Sequence, residues 1–257
     1  MPTIKQNIIQ SMKMESNPLV YLEYTPTRVI NRFLKRKVRR KKQFCMGYVS
    51  HPYKATYRIT TCRHLIANEF GEIPSKIEIL AGLEVFARYE GVNKKLHSLL
   101  FEDVAIKVHE DELADVLFVE ITHPDTYNFK LLNQACANCK KRFPGSIVYY
   151  FQHPKTRKYF KLFEGNISKK EIYITGITNE GDFFFMEDKP TKHHRTFSTI
   201  DTTQAVSIKG ASGSPILSRL GEVVGIICAH DQLRGKGIYL SIEKIERLYG
   251  ETKEYHQ

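Results

Sequence analysis

Lys209-Gly210-Ala211-Ser212-Gly213-Ser214-Pro215-Ile216-Leu217 sets one serine among two glycines and an alanine, then runs at once into apolar residues. So little side-chain bulk lets the backbone turn tightly, and the apolar run predicts a buried strand directly after the turn. Such a turn presents a hydroxyl and brings backbone N–H groups close to whatever that hydroxyl attacks. Gly210 N–H and Ser212 N–H are the pair placed to hold a developing oxyanion. Taken alone, the stretch is equally a glycine-rich β-turn with an exposed serine. A base and an orienting carboxylate elsewhere in the chain decide between the two.

A serine hydroxyl is a poor nucleophile near neutral pH unless a base takes its proton, and the base works best when a carboxylate fixes its tautomer. Of the ten histidines, His64 stands out. Arg58-Ile59-Thr60-Thr61-Cys62-Arg63-His64-Leu65-Ile66 reads as a strand running into a short helical turn, which would hold an imidazole rigidly with one face open. Asp115, in Leu113-Ala114-Asp115-Val116-Leu117-Phe118, and Asp103, in Phe101-Glu102-Asp103-Val104-Ala105-Ile106, both head an apolar strand. From either position a buried acceptor can reach an imidazole N–H. No cysteine occupies the turn at Ser212, and Cys62, two residues before His64, is expected to pack inward.

At 257 residues with 42% hydrophobic residues the chain can bury one large core or two small ones, which excludes global disorder. No stretch approaches the roughly 18 uninterrupted apolar residues of a membrane helix, and the first twenty residues lack the apolar centre of a signal peptide. We therefore expect no membrane insertion and a cytoplasmic protein. The five cysteines are odd in number and scattered through apolar surroundings, as reduced thiols would be. Cys136-Ala137-Asn138-Cys139 has no second pair at finger or ribbon spacing, so neither a metal nor another cofactor is expected. The net charge of +11 is concentrated in Lys35-Arg36-Lys37-Val38-Arg39-Arg40-Lys41-Lys42. That block is either a contact for RNA or another polyanion or a solvated arm.

The fold class is all-β. Residues 1–43 read as an N-terminal basic extension with a short helix over Pro26–Arg39. Residues 44–130 form a first β unit with strands at Cys45–Val49, Thr56–Thr61, Lys76–Leu80, Val85–Tyr89 and Val104–Val108. Residues 131–145, ending in Pro144-Gly145, form a linker. Residues 146–257 form a second β unit with strands at Ile147–Phe151, Lys158–Phe163, Ile172–Ile174, Phe183–Phe185, Val223–Cys228 and Ile238–Leu240. A closing helix, N-capped by Ser241 and ended by Gly250, completes it. Long alternating helices are missing, which disfavours a parallel α/β fold.

Thr61-Cys62-Arg63-His64, Ala114-Asp115-Val116-Leu117 and Gly210-Ala211-Ser212-Gly213-Ser214-Pro215 resemble, in order and separation, the three active-site blocks of trypsin/chymotrypsin-like serine proteases. The resemblance implies two antiparallel six-stranded β-barrels with the site in the cleft between them. It makes Ser212 the nucleophile, His64 the general base and then acid, and Asp115 its orienter, with Gly210 and Ser212 N–H as the oxyanion hole. Asp115 is preferred to Asp103 because Val104–Val108 followed by His109-Glu110-Asp111 is similar to the strand and turn that precede the family's aspartate. Secreted members carry a cysteine after the histidine and an aspartate before the serine; here those positions are Leu65 and Ala211. The departure implies an enzyme that folds active without zymogen cleavage, and it looks more like intracellular or viral polyprotein-processing proteases. On that reading the terminal Tyr255-His256-Gln257 would be a processed junction.

The same resemblance lines the pocket for the residue before the cut with Val206, Ser207, Ile227, Cys228, Ala229, His230 and Gly237. Viral glutamine-specific relatives carry a histidine where Ile227 aligns, so that match fails, and an uncharged, medium-sized side chain is expected there. The competing reading is a catalytically silent protease-like scaffold that binds RNA or protein through Lys35–Lys42, Lys140-Lys141-Arg142 and Lys192-His193-His194-Arg195.

Overall fold

The computed structural model describes residues 16–26, 42–53, 56–67, 72–89, 92–95, 104–109, 114–122, 146–150, 160–177, 183–186, 195–202, 211–218, 222–231 and 236–254. Most of them lie in two antiparallel sheets. The first holds β1 (Ser16–Tyr24), β2 (Gln43–Tyr53), β3 (Thr56–Thr61), β4 (Leu83–Tyr89), β5 (Val92–Lys95), β6 (Val104–Val108), β7 (Leu117–Ile121) and the short β15 (Lys253–Glu254), in the order β15-β6-β7-β3-β2-β1-β4-β5. The second holds β8 (Ser146–Tyr150), β9 (Phe160–Ile177), β10 (Phe183–Met186), β11 (Arg195–Thr202), β12 (Pro215–Leu217), β13 (Val223–Asp231) and β14 (Lys236–Ser241), in the order β10-β9-β11-β14-β13-β12-β8. Because β9 also pairs with β8, six of these strands follow one another round a closed ring, with β10 attached to β9.

Strand patterning follows what each face meets. In β6, Val104, Ile106 and Val108 are buried while Ala105 and Lys107 are half-buried, the alternation of a sheet with one covered face. Every residue of β7 is buried. The C-terminal helix α2 (Ile242–Glu251) meets it through Tyr249, whose ring contacts Phe118 edge-on at 5.1 Å. Ser241 caps α2 by accepting from Lys244 N–H at 3.4 Å, and Ile242, Ile245 and Leu248 face inward. Arg58 on β3, 2% exposed, donates to Glu246 at 2.6 and 3.3 Å and lies 4.3 Å from the Tyr249 ring centroid. The Tyr249 hydroxyl donates to Glu120, which also pairs with Lys107 at 3.1 Å. The end of the chain is thus fastened to the first sheet, and β15 extends that sheet beside β6. One continuous buried cluster runs from Val20, Leu22 and Ile59 to Ile226, Leu240 and Ile245.

Several expectations change. The stretch given to an N-terminal extension supplies β1, which pairs with both β2 and β4 inside the first sheet. Its Val20, Leu22 and Tyr24 are almost fully buried, so burial decides, and the basic run falls between β1 and β2 rather than ahead of the sheet. Lys76–Leu80 is not a strand but the body of helix α1 (Lys76–Gly82). Ser75 and Glu78 form a capping box there, Ser75 Oγ accepting from Glu78 N–H at 3.3 Å and the Glu78 carboxylate accepting from Ser75 N–H at 3.1 Å. The apolar pattern that suggested a strand is split, Ile79 being 0% exposed and Ile77 68%. β9 joins two expected strands in one of 18 residues, β11 was not anticipated, and α2 runs through Gly250 to Glu251. The expected helix over Pro26–Arg39 and the linker over 131–145 lie outside the described residues.

Candidate active site

β3 and β7 run side by side, with Thr61 opposite Leu117, so the residues just after β3 and just before β7 are brought together. His64 sits on the single 3-10 turn Arg63–Leu65, and Asp115 lies two residues ahead of Leu117. Asp115 is 1% exposed, and its carboxylate grips His64 twice. Oδ1 accepts from the His64 main-chain N–H at 2.9 Å, and Oδ2 lies 2.8 Å from Nδ1. An ionised carboxylate only accepts, so Nδ1 carries a proton, and in the neutral imidazole Nε2 keeps the lone pair. Burial disfavours charge on the imidazole, but the Asp115 carboxylate outweighs it and holds the pKa of His64 well above the ordinary histidine value. For Asp115 burial pushes upward, and the charge and two hydrogen bonds of His64 bring it below the ordinary carboxylate value. Asp103 lies outside the described residues.

Ser212 is held from two sides. Its carbonyl accepts from Met46 N–H on β2 at 2.7 Å, while Gly213 N–H donates to Ile227 O on β13 at 2.7 Å and Ile227 N–H to Ser214 O at 2.9 Å. Gly213 has φ +80°, and a Cβ on it would fall 1.9 Å from Met46 O and 2.7 Å from Thr61 Oγ1, so only glycine fits between the turn and β2. The Ser212 hydroxyl donates to Cys228 O at 3.3 Å. His64 Nε2 faces Cys45 Sγ at 3.7 Å, and Ser212 and His64 are not hydrogen-bonded to each other. They are nonetheless neighbours of adjacent residues, since Cys45 touches the imidazole and Met46 bonds to the serine's carbonyl.

Of the residues expected to line a pocket, Ile227 and Cys228 are buried on β13 and Ala229 is half-buried. Ala229 pairs with Ile238 and His230 with Gly237 across β13 and β14. Gly210, Val206 and Ser207 lie outside the described residues, as do Cys136, Cys139 and all of the basic block except Lys42. Lys42 is paired with Glu23 and, at 3.7 Å, with Glu84. Cys62 is 0% exposed, with its thiol donating to Ile227 O at 3.3 Å, so it packs inward. Cys45, Cys62 and Cys228 are all buried and unpaired. Sequence reasoning passed over Cys45 and Met46. Nothing in their spacing points to His64 or Ser212, and only the docking of the serine turn on β2 brings them in.

A family model described as trypsin-like peptidase domain matches residues 45–226. No curated protein matches the chain. Among solved structures, the active form of the Rv3671c protease from M. tuberculosis is similar over 96% of this chain and 85% of that one, with a TM-score of 0.58 at 15% identity. The inactive form of that protease is similar over 97% and 98%, with a TM-score of 0.53 at 15% identity. Likeness at such identity speaks for the fold, a mostly β architecture of curled antiparallel sheets closed by a C-terminal helix. The family match covers well over half of the chain's length, from the residue that touches His64 to the strand behind Ser212. The chain belongs to the trypsin-like peptidase family and is a chymotrypsin-like serine protease.

Proposed function

We propose that the protein is an endopeptidase in which Ser212 is the nucleophile, His64 the general base and then acid, and Asp115 the group that fixes the imidazole. The observation that carries this reading is the double hydrogen bond from His64 to one buried carboxylate, which fixes the ring with Nε2 as the nitrogen that can take a proton. For transfer the Ser212 hydroxyl has to leave Cys228 O and reach Nε2; contacts of this kind are often loose before substrate binds. Oγ then bonds to the substrate's carbonyl carbon as its proton passes to Nε2. The carbonyl oxygen takes the negative charge and is held by the N–H groups of Gly210 and Ser212. The imidazolium next gives its proton to the departing amine, leaving an acyl-enzyme that water hydrolyses by the same steps.

Nothing in the expected pocket is a carboxylate, so the residue before the cut is uncharged and of medium size. A peptide library in which lysine or arginine dominates that position would contradict this. The substrates we propose are intracellular proteins or a viral polyprotein, and the cytoplasmic setting is supported by the three buried free thiols. For the fold we extend the ring of the second sheet to the first, where β6, β7, β3, β2, β1 and β4 would make a barrel of the same size. The decisive experiment is Ser212→Ala: turnover and labelling by a fluorophosphonate should vanish while the denaturation curve stays in place, because one hydroxyl lost from a turn costs little stability. Turnover retained in that variant refutes the assignment.

A further inference from the structure

Cys45 Sγ lies 3.7 Å from His64 Nε2, within hydrogen-bonding reach for sulfur and also close to the span of two ligands on one ion. Two ligands of a tetrahedral zinc, with sulfur at about 2.3 Å and nitrogen at about 2.0 Å, stand about 3.5 Å apart. The outer half of a zinc–histidine unit is also present. Nδ1 donates to Asp115 Oδ2 at 2.8 Å, the carboxylate arrangement that turns the Nε2 lone pair outward and raises its basicity toward a metal. We propose that Cys45 Sγ and His64 Nε2 form a seat for a thiophilic divalent cation, zinc foremost, whose binding switches the protease off.

Cys62, His64 and Asp115 also bring donor atoms within 4.8 Å of one another, but that grouping is the poorer seat. An ion there would have to part Nδ1 from Oδ2, which stand 2.8 Å apart, whereas two such ligands on one zinc are about 3.3 Å apart. The Cys62 thiol is also already engaged with Ile227 O. At Cys45 and Nε2 only the contact between the thiol and the ring nitrogen has to give way, and the His64–Asp115 pair stays intact. The ion reaches Nε2 past the imidazole, whose side chain is 25% exposed, rather than through β2, where Cys45 is fully buried. On binding, the Cys45 thiol loses its proton to solvent, Sγ ligates as thiolate, and water fills the remaining positions. The Nε2 lone pair is then occupied, and the Ser212 proton has no acceptor. That consequence rests on His64 being the base proposed above; the seat itself does not.

Cobalt(II) reports on the seat and zinc on its consequence. The full chain titrated with cobalt(II) should develop a thiolate-to-metal charge-transfer band that persists in Cys136→Ser/Cys139→Ser and is lost in Cys45→Ser and Cys45→Ala, each checked for folding by circular dichroism. Zinc should inhibit peptide turnover by the unaltered protein, reversibly with a chelator. Cys45→Ser should need at least about tenfold more zinc, the lower end of the loss seen when even an outer partner of a metal ligand is removed. No band in the unaltered protein, or a band that survives both Cys45 variants, overturns the seat. A band lost with Cys45 while zinc leaves turnover untouched overturns the inhibition.

Discussion

Asp115→Asn keeps the side chain's size and removes its charge at the point where His64 is gripped. The carboxylate now accepts two hydrogen bonds from one residue, at 2.9 Å from the main-chain N–H and 2.8 Å from Nδ1. Asparagine offers a single acceptor oxygen. If that oxygen keeps the main-chain bond, its NH2 faces Nδ1, which can accept only by moving the ring proton to Nε2. Nε2–H has no lone pair for the serine proton. The expected fall in kcat is about 10^4-fold, the size found when a triad carboxylate is made an amide, or about 5.5 kcal/mol of barrier at about 1.36 kcal/mol per decade. Because the site is 1% exposed, an amide hydrogen left without a partner costs a further ~1–3 kcal/mol of stability, read separately by denaturant unfolding. Turnover of a fluorogenic peptide and the rate of fluorophosphonate labelling both need Nε2 as base, so both should fall together. The companion variant Asp103→Asn should leave both rates unchanged. A rate for Asp115→Asn within about tenfold of the parent, or a collapse in Asp103→Asn instead, refutes the reasoning.

Burial lowers the His64 pKa but the Asp115 charge outweighs it, so kcat/KM should rise with pH through an apparent value above the ordinary ~6.5; a midpoint at or below that contradicts the pairing. The raised His64 pKa gives stability that is present below about pH 6.5 and lost as pH climbs through the raised value. The lowered Asp115 pKa gives stability that is present above about pH 3.9 and lost as pH falls through the lowered one. The unfolding free energy of the parent minus that of Asp115→Asn should therefore be greatest between about pH 4 and 6.5. Gly213→Ala adds ~1–2 kcal/mol of backbone strain at φ +80° to a collision of 1.9 Å with Met46 O, so calorimetry should show a loss of about 3 kcal/mol or more together with lost labelling of Ser212; a loss below about 1 kcal/mol contradicts the packing. Glu246→Ala leaves buried Arg58 with Ser50 Oγ at 3.2 Å and the Tyr249 ring; because the Glu246 side chain is 36% exposed, the cost should be ~1–2 kcal/mol rather than that of a fully buried pair, with turnover unaffected.

The three candidate stretches around His64, Asp115 and Ser212 could be picked out from the chain because each is local. His64 follows a β-branched run directly, Asp115 heads the all-buried β7, and the serine turn is written in small residues whose reason is one glycine with positive φ. The contacts between them could not be read this way. That β3 and β7 are neighbours, which alone brings Asp115 to His64, is a matter of strand order. β1 shows the same limit in the fold: Val20, Leu22 and Tyr24 alternate as a strand should, but the basic run that follows drew the whole segment into a supposed extension. For Lys76–Leu80 the deciding signal was present in Ser75 and Glu78, and an apolar count over five residues outweighed it.

Cys45 marks where reading residues one by one stops. In the sequence it is a small apolar residue at the start of a strand, and its burial agrees with that. Its thiol meets Nε2 only because β2 carries Cys45 toward the imidazole and Met46 toward the serine turn in consecutive residues. A strand sends successive side chains to opposite faces, so while the Cys45 side chain reaches His64, it is Met46's backbone that engages the turn, its N–H meeting Ser212 O and its carbonyl accepting from Thr61 Oγ1 at 2.6 Å. A shift of β2 by one residue would put the methionine side chain against Nε2 and take the donor away from the serine's carbonyl. The position of Ser212 and the thiol beside His64 are therefore two results of one strand register, and a change that disturbs either should disturb the other.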